Sequence, residues 1–280
     1  MNSLVPAGWL QAELGAPDLR VLDATAFALD PTRDARAEYA GAHIPGAQFL
    51  DLAGLADPDS ALPGMLPTAE RFARIVGALG VSDRDRIVLY DNSPHRTAAR
   101  AWWMFRTFGA AQVAVLDGGL AAWQAGGRPV AQGGAPAPTP ASFAARKDEG
   151  AVRDLAAMLA NVAAGGEQVV DARGAARFTG EEADPHGAAA GHIPGSRNLP
   201  YTRLLDGEGR FKDADAIRVE FAGAGIDLAK PVVTTCGSGV TAAVLLFGAH
   251  MIGKDDVALY DGSWSEYGAD PATEKVRGPA

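Results

Sequence analysis

Four short motifs occur twice along this chain, in the same order and at nearly the same spacing. Val21-Leu22-Asp23-Ala24, an apolar run closed by an acid, returns as Val169-Val170-Asp171-Ala172, with Asp23 and Asp171 148 residues apart. His43-Ile44-Pro45-Gly46 returns as His192-Ile193-Pro194-Gly195 at an offset of 149. Val88-Leu89-Tyr90-Asp91 gives way to Val233-Thr234-Thr235-Cys236 at an offset of 145, and Asp117-Gly118-Gly119 to Asp261-Gly262-Ser263 at 144. Ordered recurrence at one period marks duplicated structural units. The chain therefore reads as two copies of one domain.

Within each copy, short apolar runs alternate with helical patterns. Arg20–Ala24, Arg86–Asp91 and Gln112–Leu116 read as strands. Between the first two, Thr68 is an N-cap for a helix with Phe72, Ile75, Val76 and Leu79 on one face, closed by Gly80. Strand–helix alternation predicts an α/β fold, two tandem domains that are each a mainly parallel sheet flanked by helices. The predicted boundaries are 1–130 for the first domain, 131–149 for a partly extended Pro/Gly/Ala linker, and 150–280 for the second.

Composition narrows the partners. With 25 basic and 34 acidic residues the formal charge is −9, which argues against nucleic acid and against an anionic membrane surface. The longest apolar stretch, about Ala242 to Ile252, is too short to span a bilayer. Met1–Pro6 carries no basic segment followed by a long apolar core, so no signal peptide is expected, and the predicted location is cytoplasmic. A single cysteine rules out an internal disulfide and fits a reducing compartment. The five histidines and one cysteine show no zinc-type spacing, so neither a metal nor another cofactor is expected. The two His-Ile-Pro-Gly segments, at His43 and His192, are better read as a shared turn with a hydrogen-bonded imidazole than as metal ligands.

The cysteine lies in Thr234-Thr235-Cys236-Gly237-Ser238-Gly239-Val240-Thr241-Ala242, between an apolar run and a second one, Ala243–Phe247. That order predicts strand, tight loop, buried helix. A lone cysteine can simply pack as a small hydrophobe. Here two glycines, a serine and a threonine allow the backbone to curve around an anion, over free N–H groups and a positive helix end that favour thiolate. Such a cradle suits two chemistries. Phosphate-ester hydrolysis needs an arginine six residues after the cysteine, where this chain has Ala242. Sulfur transfer through a cysteine persulfide needs only the loop N–H groups, and that reading survives.

Arg33-Asp34-Ala35-Arg36 before His43-Ile44-Pro45-Gly46-Ala47, Trp102-Trp103-Met104-Phe105-Arg106, Leu116-Asp117-Gly118-Gly119-Leu120 and the Cys236 loop together resemble the tandem-domain rhodanese superfamily. Within it the chain is most similar to the 3-mercaptopyruvate sulfurtransferases. The likeness runs from Val21 to Trp264. It implies two rhodanese-like domains, only the second with an active-site cysteine, and transfer of sulfur from 3-mercaptopyruvate through a Cys236 persulfide to thioredoxin, a small thiol or cyanide, releasing pyruvate. Thiosulfate-preferring relatives carry two basic residues after the cysteine; this chain has Gly237-Ser238. A thiosulfate:cyanide sulfurtransferase and a non-enzymatic persulfide carrier are the two alternatives.

The resemblance also assigns residues. Cys236 is the nucleophile, and the backbone of Gly237, Ser238, Gly239, Val240 and Thr241 is the persulfide loop. Ser238, His43 and Asp34 match a Ser–His–Asp relay, which requires His43 to cross a cleft between the domains. Arg177, in Asp171-Ala172-Arg173-Gly174-Ala175-Ala176-Arg177-Phe178, is the substrate arginine, whereas Arg173 is expected to pair with Asp171. A second substrate arginine of the family falls on His186, which predicts weaker carboxylate binding that His186→Arg should improve.

Overall fold

Both halves of the chain build the same sheet. The computed structural model describes residues 1–27, 30, 32–185 and 187–280. These form two units: Met1–Asp59 with Leu66–Asp148 and Glu208–Arg210, and Ser60–Met65 with Glu149–Gly207 and Phe211–Ala280. In the first unit, β1 (Leu4–Val5), β2 (Leu19–Asp23), β3 (Gln48–Phe49), β4 (Arg86–Tyr90) and β5 (Val113–Leu116) lie in the order β1-β5-β4-β2-β3. In the second, β6 (Val152–Arg153), β7 (Gln168–Asp171), β8 (Arg197–Asn198), β9 (Val232–Thr235) and β10 (Val257–Tyr260) lie in the order β6-β10-β9-β7-β8. Neighbouring strands run parallel throughout both sheets. The predicted fold class is the one observed.

Helices cover the sheet faces, so the central strands are buried on both sides. Ile87–Tyr90 of β4 and Val232–Thr235 of β9 are accordingly unbroken buried runs rather than alternating ones. The two cores repeat each other residue by residue. Leu10, Val21, Ile44, Val88 and Leu120 pack in the first unit where Met158, Val169, Ile193, Val233 and Trp264 pack in the second. Thr68 caps the Ala69–Ala78 helix, its hydroxyl accepting from the Arg71 N–H at 3.2 Å, and Phe72 and Val76 are buried as the periodicity predicts. Gly80 follows with φ 75°, a left-handed conformation that favours glycine.

The Pro/Gly/Ala segment expected as a linker runs along the first unit. Ala131 exchanges backbone hydrogen bonds with His43, and the Gly133 and Ala141 N–H groups donate to the Ala40 and Gly77 carbonyls at 2.7 and 2.8 Å. Phe143 is buried against Phe72 and Phe105. The prolines stiffen the strand while the intervening N–H groups tie it down, so it packs as a strap.

Candidate functional site

β9 ends at Thr235, and at Cys236 the chain turns into a loop that leads to the Ala242–Met251 helix. This places the cysteine past the carboxyl end of a central parallel strand, where α/β sheets hold their reactive groups. Its side chain is buried, at 1% exposure, and it forms no disulfide. Gly239 adopts φ 76°, which turns the loop. Ala242 through Ala249 are all buried, so this helix is enclosed on every side.

The loop's peptide groups are sorted by direction. The Cys236 N–H donates to Ser263 Oγ at 3.2 Å, and that hydroxyl donates to the Tyr260 carbonyl at 2.8 Å. The Cys236 carbonyl accepts from the Trp264 N–H at 3.0 Å, and the Gly237 carbonyl accepts from both the N–H and the hydroxyl of Ser265, each at 2.8 Å. The N–H groups of Gly237, Ser238, Val240, Thr241 and Ala242 have no acceptor among the described residues. Thr241, the N-cap, supplies no side-chain cap. The result is a set of free donors at a positive helix end, beside a buried sulfur.

Arg177, on the short Ala175–Thr179 helix, lies against this loop. A Cβ placed on Gly237 would stand 3.2 Å from Arg177 Nη2, so the absence of a side chain at 237 leaves room for the guanidinium. Arg177 Nη2 donates to Asp184 Oδ2 at 2.7 Å, while its buried Nε has no hydrogen-bond partner. Arg173 is committed elsewhere. It makes a fully buried, two-pronged pair with Asp171, donates to the Gly191 carbonyl and lies 4.5 Å over the Trp264 ring. This is the ion pair expected from the sequence.

Asp34 and His43 belong to the first unit, and their described bonds do not include each other. Asp34 caps the Ala35–Gly41 helix, accepting from the Arg36 and Ala37 N–H groups at 2.9 and 3.0 Å. His43 is buried, stacked on Tyr39, with Nδ1 2.9 Å from the Tyr39 carbonyl. His192 repeats this in the second unit, stacked on Phe178 with Nδ1 2.9 Å from the Phe178 carbonyl. Both histidines thus lock the turn predicted for the His-Ile-Pro-Gly motif. His186 lies outside the described residues. Among the described residues no group of three or more His, Cys, Asp or Glu side chains is placed to hold a metal ion, and no helix is long and apolar enough to cross a membrane.

The first unit carries a loop of the same length at this position, with its left-handed residue at Arg96 (φ 53°) rather than at the counterpart of Gly239. Asp91, at the position of Cys236, turns its carboxylate into its own loop and accepts from the Ser93 and Ala98 N–H groups at 3.0 and 2.7 Å. Burial nevertheless pushes this carboxyl up to about 6. In the first unit the chain thus supplies its own carboxylate to the N–H groups of the loop.

Sequence reasoning passed over Asp184, Ser263 and Ser265. Asp184 carries no signal beyond its proximity to Arg177. For the serines a signal exists in the repeat itself, because Ser263 and Ser265 stand where the first copy has Gly119 and Ala121.

Comparison with known proteins agrees with this architecture. The rhodanese-like domain family matches the chain twice, over residues 6–126 and 153–270. A 3-mercaptopyruvate sulfurtransferase of Rattus norvegicus is 43% identical over 95% of this chain and 92% of its own length. A thiosulfate sulfurtransferase of Gallus gallus is 42% identical over 95% and 93%. The crystal structure of SseA from Escherichia coli, a 3-mercaptopyruvate sulfotransferase, superposes with a TM-score of 0.87 at 38% identity, covering 95% of this chain and all of that one. With both domains matched and the cysteine loop carried by the second, the chain belongs to the rhodanese family as a tandem-domain member.

Proposed function

We propose that the protein is a 3-mercaptopyruvate sulfurtransferase. The observation that carries the reading is Arg177, a cation with an unpaired buried Nε, set against the loop that holds the only thiol. A donor that presents a carboxylate and a sulfur a few bonds apart fits that pairing, and arginine is the side chain best suited to hold a planar carboxylate. A pure persulfide carrier would have no use for such a cation.

In this reading the Cys236 thiolate attacks the thiol sulfur of 3-mercaptopyruvate. The carbon–sulfur bond breaks and its electron pair leaves on pyruvate enolate, which takes up the proton released from the donor thiol. Cys236 is left as a persulfide, whose charge rests on the N–H groups of the 237–242 loop. The half-buried Ser238 hydroxyl, two residues from the sulfur, is our choice to pass the proton. A thiol or cyanide then attacks the outer sulfur and Cys236 departs as thiolate. No step is assigned to Asp34 or His43, whose described bonds are a helix cap and a turn contact of the kind that His192 repeats.

Identity alone does not choose the donor, since relatives of both kinds stand at 43% and 42%. The missing side chain at Gly237 favours mercaptopyruvate, because it admits Arg177. Turnover measured side by side with the two donors, using thioredoxin and then cyanide as acceptor, decides. We expect kcat/KM to be higher with 3-mercaptopyruvate by more than about tenfold, in line with discrimination by a site built for one polar group. Cys236→Ser should abolish turnover with either donor; equal or better use of thiosulfate would overturn the assignment.

A further inference from the structure

We infer that Ser263 and Ser265 are positioning residues that aim the peptide groups of the cysteine loop. The inference rests on the reading that Cys236 carries the transferred sulfur. Its first ground is geometric. In a planar trans peptide the carbonyl and the following N–H point in opposite directions. Tying the Cys236 and Gly237 carbonyls to the Ser263–Tyr267 helix therefore turns the Gly237 and Ser238 N–H groups away from that helix, and both lack an acceptor among the described residues. The Trp264 N–H holds the Cys236 carbonyl, Ser265 holds the Gly237 carbonyl through both its N–H and its hydroxyl, and Ser263 fixes the preceding peptide by accepting from the Cys236 N–H, so that neither carbonyl turns toward the sulfur to oppose a negative charge there.

The second ground is the cost of Ser263. It is fully buried and sits at φ 51°, one of two non-glycine residues at positive φ among those described. Its counterpart Gly119 sits at φ 58°. Glycine is what this backbone conformation calls for, and a side-chain-bearing residue is strained there. The second unit keeps a serine all the same, and its hydroxyl is fully used, accepting from the Cys236 N–H and donating to the Tyr260 carbonyl.

The first unit serves as an internal control. Its Leu120 N–H donates to the Asp91 carbonyl at 3.0 Å, matching the tie between Trp264 and Cys236. The two hydroxyl ties are missing, because Gly119 and Ala121 have none to offer. The tie shared by Leu120 and Trp264 belongs to the fold, whereas the two hydroxyls, together with the Ser265 N–H bond to the Gly237 carbonyl, occur only in the unit that carries the cysteine.

The test exploits this conflict between strain and use. In the full chain, Ser263→Gly relieves the backbone and removes the hydroxyl, and Ser265→Ala removes a half-buried hydroxyl that packs no core. Cys236 is loaded with inorganic polysulfide: its thiolate attacks a sulfane sulfur, the sulfur–sulfur bond breaks, and a shortened polysulfide leaves with the electron pair. Discharge to cyanide and 3-mercaptopyruvate turnover are then followed alongside thermal melting. We expect Ser263→Gly to melt at or above the wild-type temperature while kcat/KM falls about tenfold, less than the loss of a direct oxyanion donor. Ser265→Ala should lose a few-fold at unchanged melting temperature. Wild-type loading and discharge in Ser263→Gly would overturn the inference, as would a loss of rate that only tracks a lowered melting temperature. A wild-type enzyme that loads from polysulfide but ignores 3-mercaptopyruvate would retire the donor assignment alone, leaving the loading and discharge comparison to decide this one.

Discussion

Arg177 is held at one nitrogen. Asp184, nearly fully buried, accepts from Nη2 at 2.7 Å and leaves Nε facing no partner. A single charge-assisted bond of this kind fixes the plane of the guanidinium without using up its donors. Removing it should free the side chain to wander, which raises KM for a carboxylate donor more than it lowers kcat. We expect Asp184→Ala to raise KM for 3-mercaptopyruvate about tenfold, Asp184→Asn to lie within about threefold because its amide oxygen still accepts, and Asp184→Ala to add nothing in an Arg177→Ala background. Steady-state kinetics of the four variants checks this. Asp91 permits a test at the same scale. Burial raises its folded carboxyl to about 6, above the ordinary aspartate value, so the folded state binds more protons than the unfolded one between about pH 4 and 6. Its contribution to stability is thus fully present below that window and is lost as pH rises through the folded value. Replacing Asp91 with Asn removes this contribution, and the melting temperature at pH 5 relative to pH 7 should fall compared with wild type.

At the scale of elements, the His-Ile-Pro-Gly turns, the capped Ala69–Ala78 helix and the buried strands β4 and β9 were legible from pattern alone. Each rests on local chemistry: an N-cap hydroxyl, a glycine at positive φ, or a run of apolar residues too long to be one-sided. The Pro/Gly/Ala segment is different. Its composition marks an extended chain, and extended chain reads as a connector until its partners are known. What holds it to the first unit is spread along the sequence at Ala40, His43, Gly77 and Phe108. Gly77 is the tightest of these points, since a Cβ there would stand 2.5 Å from the Ala141 carbonyl oxygen. Gly77→Ala should therefore lift the strap and cost about 1–3 kcal/mol, read as a shift in the urea midpoint.

At the scale of the whole molecule, duplication is the governing fact: one sheet order and one core appear twice, and the cysteine stands in one copy. Since the chain has a single cysteine, intact-mass measurement after exposure to a sulfur donor should show one added sulfur per chain, and none in Cys236→Ser. The sequence by itself determined the duplication, the parallel α/β architecture, and the strand–loop–helix setting of Cys236, because motif order, hydrophobic period and glycine placement act over a few residues. Only the tertiary structure decided that Arg177 leans on Gly237 under the hold of Asp184, and that Asp91 fills its own loop. It alone brought the hydroxyls of Ser263 and Ser265 to the peptides of Cys236 and Gly237. Those contacts join segments up to 60 residues apart, Arg177 to Gly237 being the longest of them. Hydrogen-bond direction and side-chain reach across such gaps depend on how the strands are ordered in the sheet, which no local pattern of residues specifies.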